Sequence, residues 1–435
     1  MTHRGSPDRT LHVGALARVE GEGAMHVEVQ DGRVTNVQLQ IYEPPRFFEA
    51  FLRGRSFTEP PDITARICGI CPVAYQMSAC AAIEDACGAT VDGSLQDLRR
   101  LLYCGEWIES HALHVYLLHA PDFLGADGAV ELARRDRALV ERGLQLKKVG
   151  NRIMEVVGGR AIHPVNVRVG GFYRAPTTTD LDALIEPLRG ALDDALATVD
   201  WVSGFEFPDF ELDHELVCLR QPGLYPIESG RSLVTSGGLE FDVAEFEAHV
   251  IEEHVAHSSA LHARLAGRGR YLVGPLARYS LNSQLLSPAA AQAAASAGLG
   301  PICRNPFRSI VVRSVEIVHA CEEALRLIGR YQRPSQPFVE VTPRAATGSG
   351  CTEAPRGTLY HRYDLAADGT ILAARIVPPT SQNQPAIEDD LRRFVDARLD
   401  WPAGELTSAC EQAIRNYDPC ISCATHFLDL EVEHR

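Results

Sequence analysis

Two short stretches at opposite ends of the chain hold residues that could do chemistry: Arg66-Ile67-Cys68-Gly69-Ile70-Cys71-Pro72 and Asp418-Pro419-Cys420-Ile421-Ser422-Cys423. Each contains a Cys-x-x-Cys, and together they offer four thiolates, a set that suits a soft, thiolate-binding metal. One pair alone could be a redox couple, and two pairs most often mean structural zinc. Zinc ribbons and fingers keep their pairs roughly 12 to 20 residues apart, whereas nearly the whole chain separates these two. A site built from both ends must be central to the fold that closes it. Pro72 can open a helix, continued by Val73-Ala74-Tyr75-Gln76-Met77-Ser78-Ala79, so Cys68 and Cys71 sit in the turn entering a buried helix. Pro419 disfavours helix at Asp418 and imposes a non-helical approach to Cys420.

The elements that must position these sulfurs are mostly helical. The chain has 435 residues, 45% hydrophobic and 23% charged, an ordinary globular composition with room for a large core. A net charge of −15 argues against nucleic acid or an anionic membrane surface as partner. No stretch approaches a membrane span and Met1–Thr10 has no apolar signal core, so a reducing cytoplasm is expected. There, most of the other cysteines (Cys80, Cys87, Cys104, Cys218, Cys303, Cys321, Cys351 and Cys410) would be buried small apolar residues.

Residues 1–10 read as a frayed leader. Alternation at Met25, Val27, Val29 and at Val37, Leu39, Ile41, about a turn at Asp31-Gly32, predicts a hairpin just after Glu20. Helices are predicted over 46–55, from Pro72 to near Gly88, and over 95–118, 136–157, 179–202, 242–265, 288–297, 306–330, 386–398 and 405–416. Within 242–265, His254, His257 and His262 beside Glu252 and Glu253 read as a solvated helix face. Residues 334–357 read as a loop, and 359–365 with 370–377 as a second hairpin turning at Asp368-Gly369. The fold class is mainly α with small β sheets (α+β). A single interlocked domain over 11–426 is the simplest arrangement.

Four motifs in order, Arg18-Val19-Glu20-Gly21, Arg66 to Pro72, Glu353-Ala354-Pro355-Arg356-Gly357 and Asp418 to His426, make the chain resemble the large, catalytic subunit of nickel–iron hydrogenases. The resemblance spans nearly the whole chain, and the two cysteine motifs carry most of its specificity. It implies the nickel–iron hydrogenase large-subunit fold and reversible heterolytic cleavage of dihydrogen. Cys68 and Cys420 would be terminal nickel ligands, and Cys71 and Cys423 would bridge nickel to an iron bearing carbon monoxide and cyanide. Cys420 is the expected first base, and Glu20 matches the glutamate that takes the proton onward. Arg356 matches the arginine over the open metal position, and Thr380 the hydroxyl that donates to a cyanide; both are counted as cofactor-binding. Glu49, His426 and the carbonyl of Ile376 match ligands of a magnesium or similar hard ion.

The same resemblance implies that residues 427–435 are removed by a maturation protease after nickel insertion, and that nickel and iron insertion proteins act on the chain. His163 matches a histidine facing the partner's nearest cluster. Ser110 stands where many members carry Asp near the arginine, and Gln382 where many carry Trp. His111 and His114 read as packing residues with satisfied ring nitrogens. The chain holds no ferredoxin-type cysteine run, Gly-x-Gly-x-x-Gly or Walker loop, so an iron–sulfur small subunit must carry the electrons. The variants at 109–114, 379–383 and 422–426 are most similar to the soluble NAD(P)-linked, sulfhydrogenase-like group, whose diaphorase-type subunits carry flavin and NAD(P). Two rivals differ in metal content: a quinone-site subunit of respiratory complexes, which normally lacks the four cysteines, and a zinc-tied scaffold.

Overall fold

The computed structural model describes residues 8–425. Its first sheet is antiparallel, Arg9–Val13, Gly23–Gln30 and Arg33–Ile41. Met25, Val27 and Val29 face the core, and Asp31 and Gly32, both at positive φ, make the expected turn. The strand begins inside the segment read as a leader, because Leu11 is buried and Arg9 pairs with Val29.

The long helices form a group of their own. Gly93–Leu113, Arg137–Gly158, Ile185–Ser203 and Ser309–Gly329 pack around one apolar core. The first two cross where Gly105 meets Gly150. A Cβ on Gly150 would sit 2.5 Å from the Gly105 carbonyl, so this crossing needs glycine on both sides. The first helix runs on, as expected to about residue 118, but through a π-helical turn, His114–His119. His114 Nε2 meets the Arg415 carbonyl there at 2.8 Å, tying the turn to the chain leading into the final cysteines.

A three-stranded sheet, Ala346–Ala354, Gly357–Leu365 and Ile371–Val377, lies against helix Pro72–Cys87. Its first strand falls in the stretch read as a loop. Gly348 and Gly350 are there for closeness: a Cβ on Gly348 would lie 2.2 Å from the Ala82 carbonyl. The expected helix over 242–265 is also corrected. Only its start is helical, a 3-10 turn at Val243–Glu245 followed by Phe246–His249; Val250–Val255 and Ser258–Leu265 form an antiparallel hairpin. The β-branched Val250, Ile251 and Val255 favour the extended chain, and the spacing of apolar residues fits both periods. The three histidines therefore do not share a helix face. The helix expected at 386–398 begins earlier, at Pro379, and runs to Asp396. The one expected over 46–55 is the shorter Phe48–Leu52. A four-stranded sheet is ordered Tyr271–Leu272, Glu215–Arg220, Ser232–Thr235, Glu240–Asp242. No helix among the described residues is long and apolar enough to cross a membrane.

The two ends of the chain meet. Glu20 and Cys420 form a parallel bridge, with the Ile421 amide donating to the Glu20 carbonyl at 2.9 Å. Ile421 then joins Ile41, Ala260 and Ala424 in a small apolar cluster. Arg46 ties the junction down: its amide donates to the Thr425 carbonyl at 2.6 Å, and its guanidinium to the carbonyls of Ile67 and Ser422.

Gly21 (φ +87°) makes this close approach possible, since a Cβ there would lie 2.7 Å from Ile421 Cβ. Gly21→Ala is expected to destabilise the chain by about 1–3 kcal/mol in urea unfolding, from strain and overpacking. Gly190→Ala, mid-helix with nothing within 4 Å, is the matched control and is expected to stabilise by about 0.4–1 kcal/mol.

Candidate metal centre

The cysteine pairs converge as their spacing demands. Cys71 precedes helix Pro72–Cys87, whose first turn has no cap of its own. Glu106, buried on the neighbouring long helix, supplies one: its carboxylate accepts from the Val73 and Ala74 amides at 2.6 and 3.1 Å. That fixes the turn holding Cys68, whose Sγ accepts from the amides of Ile70 and Cys71, each at 3.3 Å. On the other strand of the site, Asp418 sits at φ +52° immediately before Pro419. This conformation is costly for aspartate, and the surroundings hold it. Arg356 donates from Nε to the Asp418 carbonyl at 2.7 Å and from Nη2 to its carboxylate at 3.0 Å, while Arg313 lies 3.5 Å from the other oxygen.

Cys68 Sγ lies 3.5 Å from Cys420 Sγ, and Cys71 Sγ 3.6 Å from Cys423 Sγ. All four sulfurs fall within 4.8 Å of one another, buried. These separations far exceed a disulfide's roughly 2.05 Å bond. They are close to the ~3.7 Å between sulfurs sharing one metal at about 2.3 Å. Burial pushes the Cys420 thiol well above its ordinary range. Hydrogen bonds from Cys420, Cys423 and Cys71, with the field of Arg356, pull Cys68 well below it. Only a multiply charged centre would keep all four as thiolates.

A cavity opens beside the sulfurs, bounded by Tyr75, Ala354, Leu359 and Pro379, with Arg356 and Thr380 at its edge. Arg356 Nη1 is buried without a partner. Thr380 Oγ1 accepts from the Cys420 amide at 3.0 Å, leaving its own proton to donate. These are donors suited to small anionic ligands on a metal. Soft sulfurs, a buried cation without a full partner set and a spare hydroxyl fit the nickel–iron group.

Glu20 stands at the edge of the site. Its Oε2 accepts from Cys420 Sγ at 3.1 Å and from the Ser422 amide at 3.0 Å. Glu49 is buried in Phe48–Leu52 and accepts from the Ile376 amide at 2.8 Å, so these two residues are neighbours, while the expected ligand is the Ile376 carbonyl. The third, His426, and the expected extension 427–435 lie outside the described residues. Arg66 and His163 touch at 3.3 Å beside the Cys68 turn. Of the two histidines read as packing residues, His111 lies 2.9 Å from Glu316, whereas His114 bonds Arg415 through Nε2 only, its Nδ1 being unpartnered. Ser110 gives Arg356 no carboxylate, and Asp418 supplies one instead.

Sequence reasoning did not single out the frame behind Arg356. Buried Arg278 donates to both oxygens of Glu316 at 2.8 Å, to Glu353 at 3.1 Å, and to the carbonyls of Ala354 and Pro355. Glu353 also accepts from the Leu219 amide and from Thr358. The loop delivering Arg356 is thereby fixed on both sides. In sequence, Arg278 carries no signal beyond an arginine inside an apolar helix.

A family model described as nickel-dependent hydrogenase matches residues 46–141 and 315–426. Sulfhydrogenase 1 subunit alpha of Pyrococcus furiosus is 33% identical over 427 residues, spanning 97% of this chain and 98% of its own length. NAD-reducing hydrogenase HoxS subunit beta of Cupriavidus necator is 28% identical, over 97% of this chain and 95% of that relative. The structure of an NAD+-reducing NiFe hydrogenase in the H2-reduced state superposes with a TM-score of 0.87 at 25% identity, covering 96% of this chain and 99% of that one. The chain belongs to the large-subunit family of nickel-dependent hydrogenases. It is the catalytic subunit of a nickel–iron hydrogenase, an enzyme whose centre uses nickel and iron.

Glu109 gives the site's surroundings a pH signature. Burial pushes its carboxyl from the ordinary 4.5 up to about 7, against the pull of Lys147. The folded chain then binds the extra proton between those values, so its stability falls as pH rises from about 4.5 to 7. Glu109→Gln is expected to flatten that fall, measured as the difference between the two proteins' urea midpoints across the window.

Proposed function

We propose that Cys68, Cys71, Cys420 and Cys423 would together hold a nickel and an iron, Cys68 and Cys420 serving the nickel alone and Cys71 and Cys423 serving both metals. When bound, this metal pair, with its carbon monoxide and cyanide ligands, supplies the place where dihydrogen is split unevenly. The chain's own residues then handle the proton and exclude water. Cys420 Sγ receives it, and Glu20 takes it over a 3.1 Å contact, the single observation that carries the assignment. Arg356, held by Asp418, would offer Nη1 to a cyanide, and Thr380 would offer its hydroxyl to the other. Tyr75, Leu359 and Pro379 keep the cavity apolar.

Dihydrogen gives two protons, both of which would leave in turn by Cys420 and Glu20, and two electrons, and no other cofactor motif exists in the chain to receive the electrons. They pass to an iron–sulfur small subunit. The Cys68 turn, where Arg66 meets His163, is the expected exit, flanked by exposed Ile162, Val165 and Tyr173. From there they reach flavin and then NAD or NADP in diaphorase-type subunits of a cytoplasmic complex, as the names of two of the similar proteins specify NAD. Glu49, the Ile376 carbonyl and His426 would hold a magnesium-class ion, which would pin the C-terminal segment. Insertion proteins load the metals, and a protease removes residues 427–435.

The test uses the assembled complex. Wild type is expected to reduce NAD+ or NADP+ under hydrogen. Glu20→Gln is expected to keep nickel and iron while hydrogen–deuterium exchange slows by about 10²- to 10⁴-fold; exchange at the wild-type rate would remove Glu20 from the proton route. Intact mass of the active chain is expected to end at His426, and an active chain ending at Arg435 would refute processing.

A further inference from the structure

Away from the four cysteines, the described residues bring together another set of metal-ligating side chains. The donor atoms of His257, His262 and Glu388 all lie within 4.8 Å of one another. His257 is in the turn of the hairpin Val250–Val255/Ser258–Leu265, His262 is on its second strand, and Glu388 is on helix Pro379–Asp396. The strand register slips between Ser258 and His262, an irregularity of the kind that re-aims side chains.

An ordinary ion pair would leave this cluster satisfied, and it is not satisfied. His262 is only 4% exposed, and its Nε2 makes no well-formed hydrogen bond, although the Gln384 side chain lies near the ring. A buried ring nitrogen left unpaired is costly, and neutral imidazole is the ligating form that burial favours. Glu388 Oε1 already serves His257 Nε2 at 2.7 Å and the Leu39 amide at 2.9 Å. The backbone bond orients the carboxylate as an outer-shell partner does. The neighbouring arginines are committed elsewhere: Arg264 to Glu253 at 2.9 Å, Arg268 to Glu215 at 2.8 Å and Arg270 to Asp389 at 3.0 Å. His262 and Glu388, though not His257, line a cavity of about 540 Å³ open to solvent, which leaves a further coordination position to water.

We propose that His257, His262 and Glu388 bind a divalent cation of the zinc class, separate from the four-sulfur centre. Two imidazoles and one carboxylate with an open position suit zinc far better than calcium or magnesium. The ion would replace the His257–Glu388 hydrogen bond and give His262 Nε2 its missing partner. Its physical effect is to bolt the hairpin to the helix whose first turn carries Thr380, and so to brace one wall of the metal centre.

The test takes the purified, metal-loaded complex, so that the four cysteines are already occupied. It measures zinc by elemental analysis and the thermal midpoint with and without added zinc chloride, for wild type, His262→Gln and Glu388→Gln. Expected are one zinc per chain beyond nickel and iron in wild type, a midpoint raised by zinc, and affinity at least about 100-fold weaker in both variants. Zinc uptake equal in all three proteins, or none in wild type at 100-fold excess, would overturn the proposal. The nickel and iron content of the variants, expected to be unchanged, shows that they fold.

Discussion

Four buried sulfurs have to occupy one small volume, and their chain positions place that burden on the whole fold. Two segments almost as far apart as the sequence allows must be fixed to within a few tenths of an ångström. Neither is a regular element when it reaches the site: one is a turn before a helix, the other a kinked approach through Asp418-Pro419. Each is held by charge from outside itself. Glu106 caps the first, and Arg356 with Arg313 clamps the second. The left-handed Asp418 would cost about 1–3 kcal/mol in isolation. It persists because its carboxylate and carbonyl are both engaged by buried guanidinium groups.

The apolar core also buries charged pairs. Arg278 with Glu316 and Glu353, Arg100 with Glu228 and Glu323, and Arg99 with Glu84 are all buried. Buried pairs of this kind often contribute little net stability, because desolvation offsets their attraction. Their geometry, though, is directional in a way that apolar contacts are not. Arg278 holds two successive carbonyls of the loop before Arg356, which a leucine in the same volume could not do. The arrangement trades stability for the placement of one guanidinium.

Much of this was legible in the sequence because chemistry and punctuation coincide there. The two Cys-x-x-Cys pairs, Pro72, Pro419 and Asp31-Gly32 each impose a local conformation, and the structure has those conformations. The long helices were legible from periodicity. What was missed follows a pattern. Ala346–Ala354 read as a loop because its glycines serve close approach to a helix, a tertiary reason invisible in one strand. Residues 250–265 read as a helix because their apolar spacing satisfies two periods, and the β-branched residues decide it. Arg278, Arg313, Glu106 and Glu316 matter only through partners distant in the chain. Asp418 belongs to a motif visible in the sequence, but its work for Arg356 appears only when the two ends are folded together.

The central claim is that the sulfurs of both ends jointly hold one nickel and one iron. Elemental analysis combined with infrared spectroscopy of the matured complex tests it most directly. The account predicts one nickel per chain of this subunit together with carbon monoxide and cyanide stretching bands, the nickel and the bands lost together when Cys68 is replaced by serine. Zinc alone at the four cysteines, with no such bands, would contradict it.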